Sequence, residues 1–359
     1  MRLLLHTAPG LGGILQKQLQ SSTGNIRFLS RRFVSDKNDL LVVDAESLQE
    51  VLTSRVVEDA FFLFLYRDNI SPNMQGLRDL GRVLASTIKT DRWQEAIRCR
   101  FDQLPASRRK HRVVTFRPVV RLQGSHVFTR SQLRATAEEI LVSTLPRNWR
   151  LVEDNSLVEV WITVIDNEVW GGIRLTPDHS KRYAYKQYHV EASLRPSIAA
   201  AMVWLSCPRS DDVFLDPFCG AGTILIERAL AGRYRLIIGS DKSREAIEVA
   251  SSNIGPRYKP IELHQWDATR IPLEHDSVDA IVTNPPFGHR YGSKESNKEL
   301  YPAFLQEAGR ILKPDGRLVV VTTEDKLMRH LIGQDWRELV TVKVWVLGMR
   351  ATIFAMERR

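Results

Sequence analysis

Asn284-Pro285-Pro286-Phe287 sets two hydrogen-bond acceptors side by side on a rigid turn: the Asn284 amide oxygen and the Pro285 carbonyl, held by a backbone that proline fixes. Such a pair suits the exocyclic NH₂ of a nucleobase. Accepting both of its hydrogens turns the nitrogen lone pair out of the base plane, and Phe287 offers a ring face on which the base can stack. The chemistry then needs alignment more than a strong base. The lone pair must line up with a methyl group on a sulfonium about 3 Å away, and the amine sheds its proton after attack.

Three more clusters point to the partner of that amine. Asp216-Pro217-Phe218-Cys219-Gly220-Ala221-Gly222-Thr223 is a turn in which two glycines let the backbone approach a ligand, and Thr223 opens a helix. Gly239-Ser240-Asp241 closes the next strand, where Asp241 can accept from both ribose hydroxyls. Asp267-Ala268 follows the third, placed to accept from an adenine amine. Each aspartate alone reads as a helix cap before it reads as a ligand, and only Asp241 reads as either alike. In this order, at successive strand ends, they describe a pocket for a nucleoside with a short polar tail. The dinucleotide fingerprint GxGxxG is absent, because Leu225 stands where its third glycine would be. No cysteine neighbours the NPPF turn, against a covalent carbon-5 pyrimidine route, and neither the histidines nor Cys99, Cys207 and Cys219 show metal-ligand spacing.

The elements that must position these residues follow from periodicity. From Ser193 onward, apolar strands (VFLD, RLIIGS, IELHQW, SVDAIVT, GRLVVVTT) alternate with helices of 10–15 residues, the pattern of βαβ units in a parallel, doubly wound sheet. LVTVKVWVL and ATIFAMER follow with only a turn at Gly348-Met349 between them, so they form a hairpin and the last strand runs antiparallel. The first half reads as small α+β units. MRLLLHT, DLLVVD, FFLFLYR, VVTFRPVVRL, LVEVWITVID and VWGGIRLT are strands, interleaved with amphipathic helices. A Tyr-rich connector, 176–190, joins the halves.

DPFCGAGT, the Asp241 acid, WDA and NPPF resemble motifs of class I S-adenosylmethionine-dependent methyltransferases of the amino type, and ASLRPSIAAAMVWL (192–205) resembles their additional cofactor-side helix. The whole chain, including the NPPFGHRYG run, is similar to the TrmN-type THUMP methyltransferases, which methylate the 2-amino group of guanosine at position 6 of tRNA. The resemblance implies an N-terminal ferredoxin-like domain (1–68), a THUMP domain (69–175), a linker (176–190) and a Rossmann-like methyltransferase domain with a seven-stranded sheet (191–359). It implies that Asp216, Phe218, Gly220, Gly222, Thr223, Asp241, Asp267, Ala268 and Asn284 hold S-adenosylmethionine, and that Asn284, Pro285 and Phe287 act on the base. A guanosine in the acceptor stem must be flipped out to reach Asn284, at a few kcal/mol.

Charge points to the same partner. Of the 51 Lys and Arg and 42 Asp and Glu, residues 191–359 carry 23 and 22, so nearly all of the net +9 lies in the first half. The window Arg98–Arg134 holds ten basic residues, nine of them Arg, against Asp102 alone. Clustered Arg gains affinity for polyanions by releasing counterions. Arg108, Arg109, Lys110, Arg112, Arg117 and Arg121 are therefore the expected RNA grip, and a 191–359 fragment is expected to bind cofactor but barely to bind tRNA. Hydrophobics at 43% and charged residues at 26% exclude a disordered chain, and 359 residues allow two to three domains. Three scattered cysteines, no apolar run of about 18 residues and no signal segment give the expectation of a cytoplasmic, monomeric protein without membrane or metal. Adenine 6-amino or ribosomal RNA guanine methylation, and a non-catalytic RNA-binding protein on a relict cofactor fold, remain alternatives.

Overall fold

The computed structural model describes all residues except 23, 24, 35, 36, 110, 111, 177–182, 184, 186, 187, 189–192, 288–293 and 334. The first half builds one mixed sheet from β1 (Arg2–Thr7), β2 (Ile26–Val34), β3 (Asn38–Ala45), β4 (Asp59–Arg67), β5 (Val114–Gln123), β6 (Trp149–Leu151), β7 (Val158–Ile165) and β8 (Glu168–Arg174). Their order is β2-β3-β1-β4-β8-β7-β5-β6, and antiparallel pairing of β4 with β8 joins residues 1–68 to 69–175 in one sheet. Alternation sets each strand's faces: in β5, Val114, Phe116 and Val120 are buried, while Arg117, Val119 and Arg121 are half-exposed. The helices are α1 (Gly12–Ser22), α2 (Leu48–Thr53), α3 (Met74–Thr87), α4 (Asp91–Asp102), α5 (Ala106–Arg109) and α6 (Arg130–Thr144). Local chemistry starts several of them. Asn73 accepts from two first-turn N–H groups of α3, and Thr129 with Gln132 forms a capping box on α6.

The second half is the doubly wound unit: α7 (Pro196–Leu205), β9 (Val213–Asp216), α8 (Thr223–Leu230), β10 (Leu236–Ser240), α9 (Arg244–Ile254), β11 (Ile261–His264), β12 (Val278–Thr283), α10 (Lys294–Ile311), β13 (Leu312–Thr322), α11 (Asp325–Ile332), β14 (Trp336–Val346) and β15 (Met349–Arg358). Strand order is β11-β10-β9-β12-β13-β15-β14. All pairs are parallel except those of β15, the last strand, which is antiparallel to both β13 and β14. The order reverses between β9 and β12, so a crevice opens at their carboxyl ends. Two local readings need correction. The β14–β15 turn is Leu347-Gly348, not Gly348-Met349, because these two residues take the positive φ (52° and 80°) that a two-residue hairpin turn requires. β2 has no clear strand pattern in the sequence, since its centre is Ser30-Arg31-Arg32 and a bulge at Phe28/Ser30 breaks its alternation.

The halves share one core. A continuous cluster runs from Leu3, Leu15 and Phe62 through Ile198 and Leu225 to Val344 and Ile353. A Cβ on Gly10 would lie 1.9 Å from the Lys343 carbonyl oxygen, so the first-half backbone touches β14 there. Ser197 at the start of α7 donates to Glu58 at 2.7 Å, and Arg55 forms a two-pronged ion pair with Glu227 of α8, whose side chain is 0% exposed. These contacts count against 191–359 as an independent cofactor-binding fragment. Cutting there bares apolar core and strands the Glu227 carboxylate without its cation.

Candidate active site

The crevice is built by strand ends locked to one another. The Thr283 hydroxyl, last in β12, donates to Asp216, last in β9, at 2.7 Å, and the Phe218 N–H reaches the same Asp216 oxygen at 3.2 Å. The cofactor-side turn and the NPPF turn are thus registered by one hydrogen bond. Burial pushes the Asp216 carboxyl up to about 7, with a smaller push from Asp241, against those two donors. A pH dependence follows. The folded carboxyl titrates near 7 and the unfolded one near 3.8, so between these values the folded chain holds a proton that the unfolded chain has lost. Stability therefore falls as pH rises through that window, by at most about 4 kcal/mol. Asp216→Asn should flatten this slope. Equal changes of melting temperature from pH 4 to 7.5 in variant and parent, without cofactor, would remove Asp216 as the cause.

Gly220 and Gly222 take φ of +50° and +77°, the left-handed region, and a Cβ on Gly220 would meet no atom within 4 Å. The loop is open there, on the side a ligand would occupy. Asp241 accepts from the Gly220 N–H at 3.0 Å and the Ser243 N–H at 2.9 Å, so it serves loop and helix together and keeps lone pairs for a ligand. Ser243, not Asp241, supplies the side-chain cap of α9. Asp267 accepts from the Thr269 N–H and hydroxyl, which hold its carboxyl below the usual range, and pairs with Lys242 at 3.3 Å. Thr223 begins α8 and is buried, as is Ala268. The Phe218 ring stands edge-on to Phe304 at 5.3 Å, so that residue meets the loop through its backbone while its side chain packs in the core.

At the second turn, the Asn284 amide oxygen is buried and has no hydrogen-bond partner among the described residues. A buried acceptor left unpaired is costly; here it marks the place of a missing donor. Pro285 is buried, and Phe287 is half-buried against the core shared by the two halves. The turn is fixed from behind by two residues that sequence reasoning missed. The Pro286 carbonyl accepts from Asn297 Nδ2 at 3.1 Å and from the Tyr301 hydroxyl at 3.0 Å, and Tyr301 also meets the Thr322 hydroxyl at 2.9 Å. Asn297 and Tyr301 are 1% and 0% exposed on α10. Their signal was the pairing of polar groups four residues apart on a face that otherwise enters the core. Tyr301→Phe removes one hydroxyl and little volume. Turnover should fall three- to tenfold with cofactor affinity unchanged, the scale of one hydrogen bond, measured by methyl incorporation; unaltered turnover would deny Tyr301 its hold on the turn.

The basic window divides. Arg117 is committed to Glu159 at 2.7 Å and Asp154 at 2.9 Å. Arg121 lies over the Trp161 ring, 4.7 Å from its centroid, bonds Asn38, and lines a cavity of about 630 Å³ between the halves with Lys37, Arg130 and Arg195. Arg109 donates to the Asp102 and Leu104 carbonyls; Arg108 is half-exposed and Arg112 exposed, while Lys110 lies outside the described residues. The HRY stretch after NPPFG also lies outside them, as does much of the 176–190 connector. Among the described residues no group of three or more His, Cys, Asp or Glu could hold a metal ion, and no helix is long and apolar enough to cross a membrane.

Open room beside Gly220 and the carboxylate acceptors at three strand ends fit S-adenosylmethionine, and the Asn284 acceptor, unpartnered among the described residues, stands beside them. Asp216, the Gly220–Thr223 loop, Asp241 and Asp267-Ala268 would hold it. Comparison with known proteins agrees. Residues 183–351 match the RMKL-like methyltransferase domain. The chain is 35% identical over 227 residues to the bovine tRNA (guanine(6)-N(2))-methyltransferase THUMP3, covering 58% of this chain but 45% of that protein, so it spans about half the length of this curated relative. It is 32% identical over 256 residues to the tRNA (guanine(6)-N2)-methyltransferase of Methanocaldococcus jannaschii, covering 59% of this chain and 67% of that one. The crystal structure of TrmN from Thermus thermophilus superimposes over 100% of this chain and 99% of its own with a TM-score of 0.78 at 22% identity, a likeness of fold. On the strength of the crevice, its motifs and these relatives, the chain belongs to the TrmN-type family of class I methyltransferases that includes the Methanocaldococcus jannaschii enzyme.

Proposed function

We propose that this protein methylates the exocyclic 2-amino group of a guanosine in tRNA, at position 6 of the acceptor stem. The observation that carries it is the buried, unpaired Asn284 acceptor at the mouth of the crevice. A relict fold has no reason to keep a desolvated acceptor waiting for an amine, which speaks against a non-catalytic RNA-binding protein. The activity of the relatives supports guanine over adenine and tRNA over ribosomal RNA.

S-adenosylmethionine supplies an electrophilic methyl group when bound. The chain's own residues do the rest. Asn284 and the Pro285 carbonyl accept the two N–H bonds of the target amine and so aim its lone pair. Phe287 gives the flipped base a stacking surface. Thr283–Asp216 and Tyr301–Pro286 keep both turns in register, so the contribution is orientation rather than proton abstraction. In this reading residues 1–68 and 69–175, the proposed ferredoxin-like and THUMP units, grip the RNA, with Arg108, Arg109, Lys110, Arg112 and Arg121 supplying positive charge for phosphate, and a monomer working in the cytoplasm suffices. The test is to offer labelled S-adenosylmethionine with unmodified tRNA and ribosomal RNA together. Label should enter tRNA; label confined to ribosomal RNA would overturn the substrate.

A further inference from the structure

The loop that carries Gly220 and Gly222 has little conformational preference of its own, since both glycines sit at positive φ. Among the described residues, two side chains hold it. Asp241 bonds the Gly220 N–H, but the same carboxylate would have to receive the ligand. The other is Asn253, at the end of α9 and 7% exposed, whose Nδ2 donates to the Ala221 carbonyl at 3.0 Å. That tether is independent of the ligand.

Asn253 is itself oriented by the connector that precedes α7. Its amide clasps the backbone of Tyr188 in the connector, accepting from the Tyr188 N–H at 3.0 Å and donating to the Tyr188 carbonyl at 2.9 Å. These two bonds fix the amide plane and leave the second N–H aimed at Ala221. The connector is pinned again three residues earlier. The Tyr185 hydroxyl donates to Glu227, the buried carboxylate that also receives Arg55 from the first half. The Arg55 guanidinium lies 5.6 Å from the Tyr183 ring centroid and 5.9 Å from that of Tyr185. Beyond them, the Ser193 hydroxyl lies 3.4 Å from that of Thr223, the first residue of α8. First half, connector and cofactor loop are therefore chained by consecutive polar contacts.

We propose that Asn253 is a positioning residue for the cofactor loop, oriented by Tyr188 of the connector, with Tyr185 pinning the connector beside it, so that the seating of these two tyrosines sets affinity for S-adenosylmethionine. This rests on the reading of the 216–223 crevice as the cofactor site. It predicts a split between binding and turnover. A loosened loop raises the dissociation constant, while transfer at saturating cofactor, which depends on the NPPF turn, is spared.

The experiment titrates S-adenosylmethionine calorimetrically into the full chain and its variants, with turnover on tRNA measured at saturating cofactor. Asn253→Ala and Asn253→Asp should each raise the dissociation constant at least tenfold, with turnover within about threefold of the parent. The Asp variant separates positioning from packing: it keeps the volume and the Tyr188 N–H bond but can donate neither to Ala221 nor to the Tyr188 carbonyl. Affinity within twofold of the parent in Asn253→Asp overturns the proposal, as does a loss of turnover with affinity intact. Should both Asn253 variants fail to fold, Tyr185→Phe decides, since it removes one hydroxyl from the chain of contacts. A rise of threefold or more supports the proposal and an unchanged value overturns it. Asp241→Ala is the control for the site itself. If it too leaves binding unchanged, the crevice has been misassigned; if it alone weakens binding, the cofactor site stands and only the role of Asn253 falls.

Discussion

Asn284→Ala should slow methyl transfer at least 100-fold while S-adenosylmethionine binds nearly as well as before. The side chain reaches the crevice from the end of β12, beyond the Thr283–Asp216 bond that aligns the two turns. Its loss removes the unpaired acceptor and leaves the cofactor loop, held by Asp241 and Asn253, untouched. An amine with one of its two acceptors gone can rotate, and misorientation in a near-attack geometry is expensive: a 100-fold loss corresponds to about 2.7 kcal/mol. Turnover and cofactor titration on the same preparation check it. Turnover within a few-fold of the parent would take Asn284 out of the mechanism.

Arg55→Ala should destabilise the protein by about 3–5 kcal/mol, because it leaves a carboxylate buried without its cation. Glu227 has 0% side-chain exposure, and Arg55 supplies its only ion pair among the described residues. The Tyr185 hydroxyl cannot replace a charge. Urea unfolding of the full chain is the measurement, and Arg55→Ala together with Glu227→Leu should recover much of the loss, since an apolar pair needs no solvation. A cost below 1 kcal/mol for Arg55→Ala would show that water or another cation reaches Glu227. Truncation to 191–359 should be worse still, because the shared core is opened as well.

The cofactor crevice was legible in the sequence because its codes are short and local. Aspartates at successive strand ends, glycines before a helix and Asn-Pro-Pro-Phe after an apolar strand each declare position within a few residues. The parallel sheet and its antiparallel last strand were equally accessible from helix-strand alternation that stops before LVTVKVWVL, while the strand order was not. Contacts between distant residues were not. Arg55 and Glu227 are 172 positions apart, and nothing in either neighbourhood marks a buried pair. Asn297 and Tyr301 read as ordinary members of an amphipathic helix until the Pro286 carbonyl is seen to need them. Charge counting shows where basic residues lie in sequence but not their partners. Arg117, counted toward an RNA grip, spends its guanidinium on Glu159 and Asp154 across the sheet. Arg100, in the same window, donates to the Leu157 and Leu175 carbonyls.

The identity of the methylated nucleoside tests the central claim most directly. Unmodified tRNA incubated with the full chain and labelled S-adenosylmethionine, digested to nucleosides and separated by chromatography, should carry its label on an exocyclic amine, because Asn284 and Pro285 present acceptors to one, and on the proposed reading that nucleoside is N2-methylguanosine. Label in N6-methyladenosine would keep the catalytic turn and refute the base. Label on a ring carbon or a ribose hydroxyl, or no label in tRNA at all, would contradict the assignment of the crevice to amine methylation.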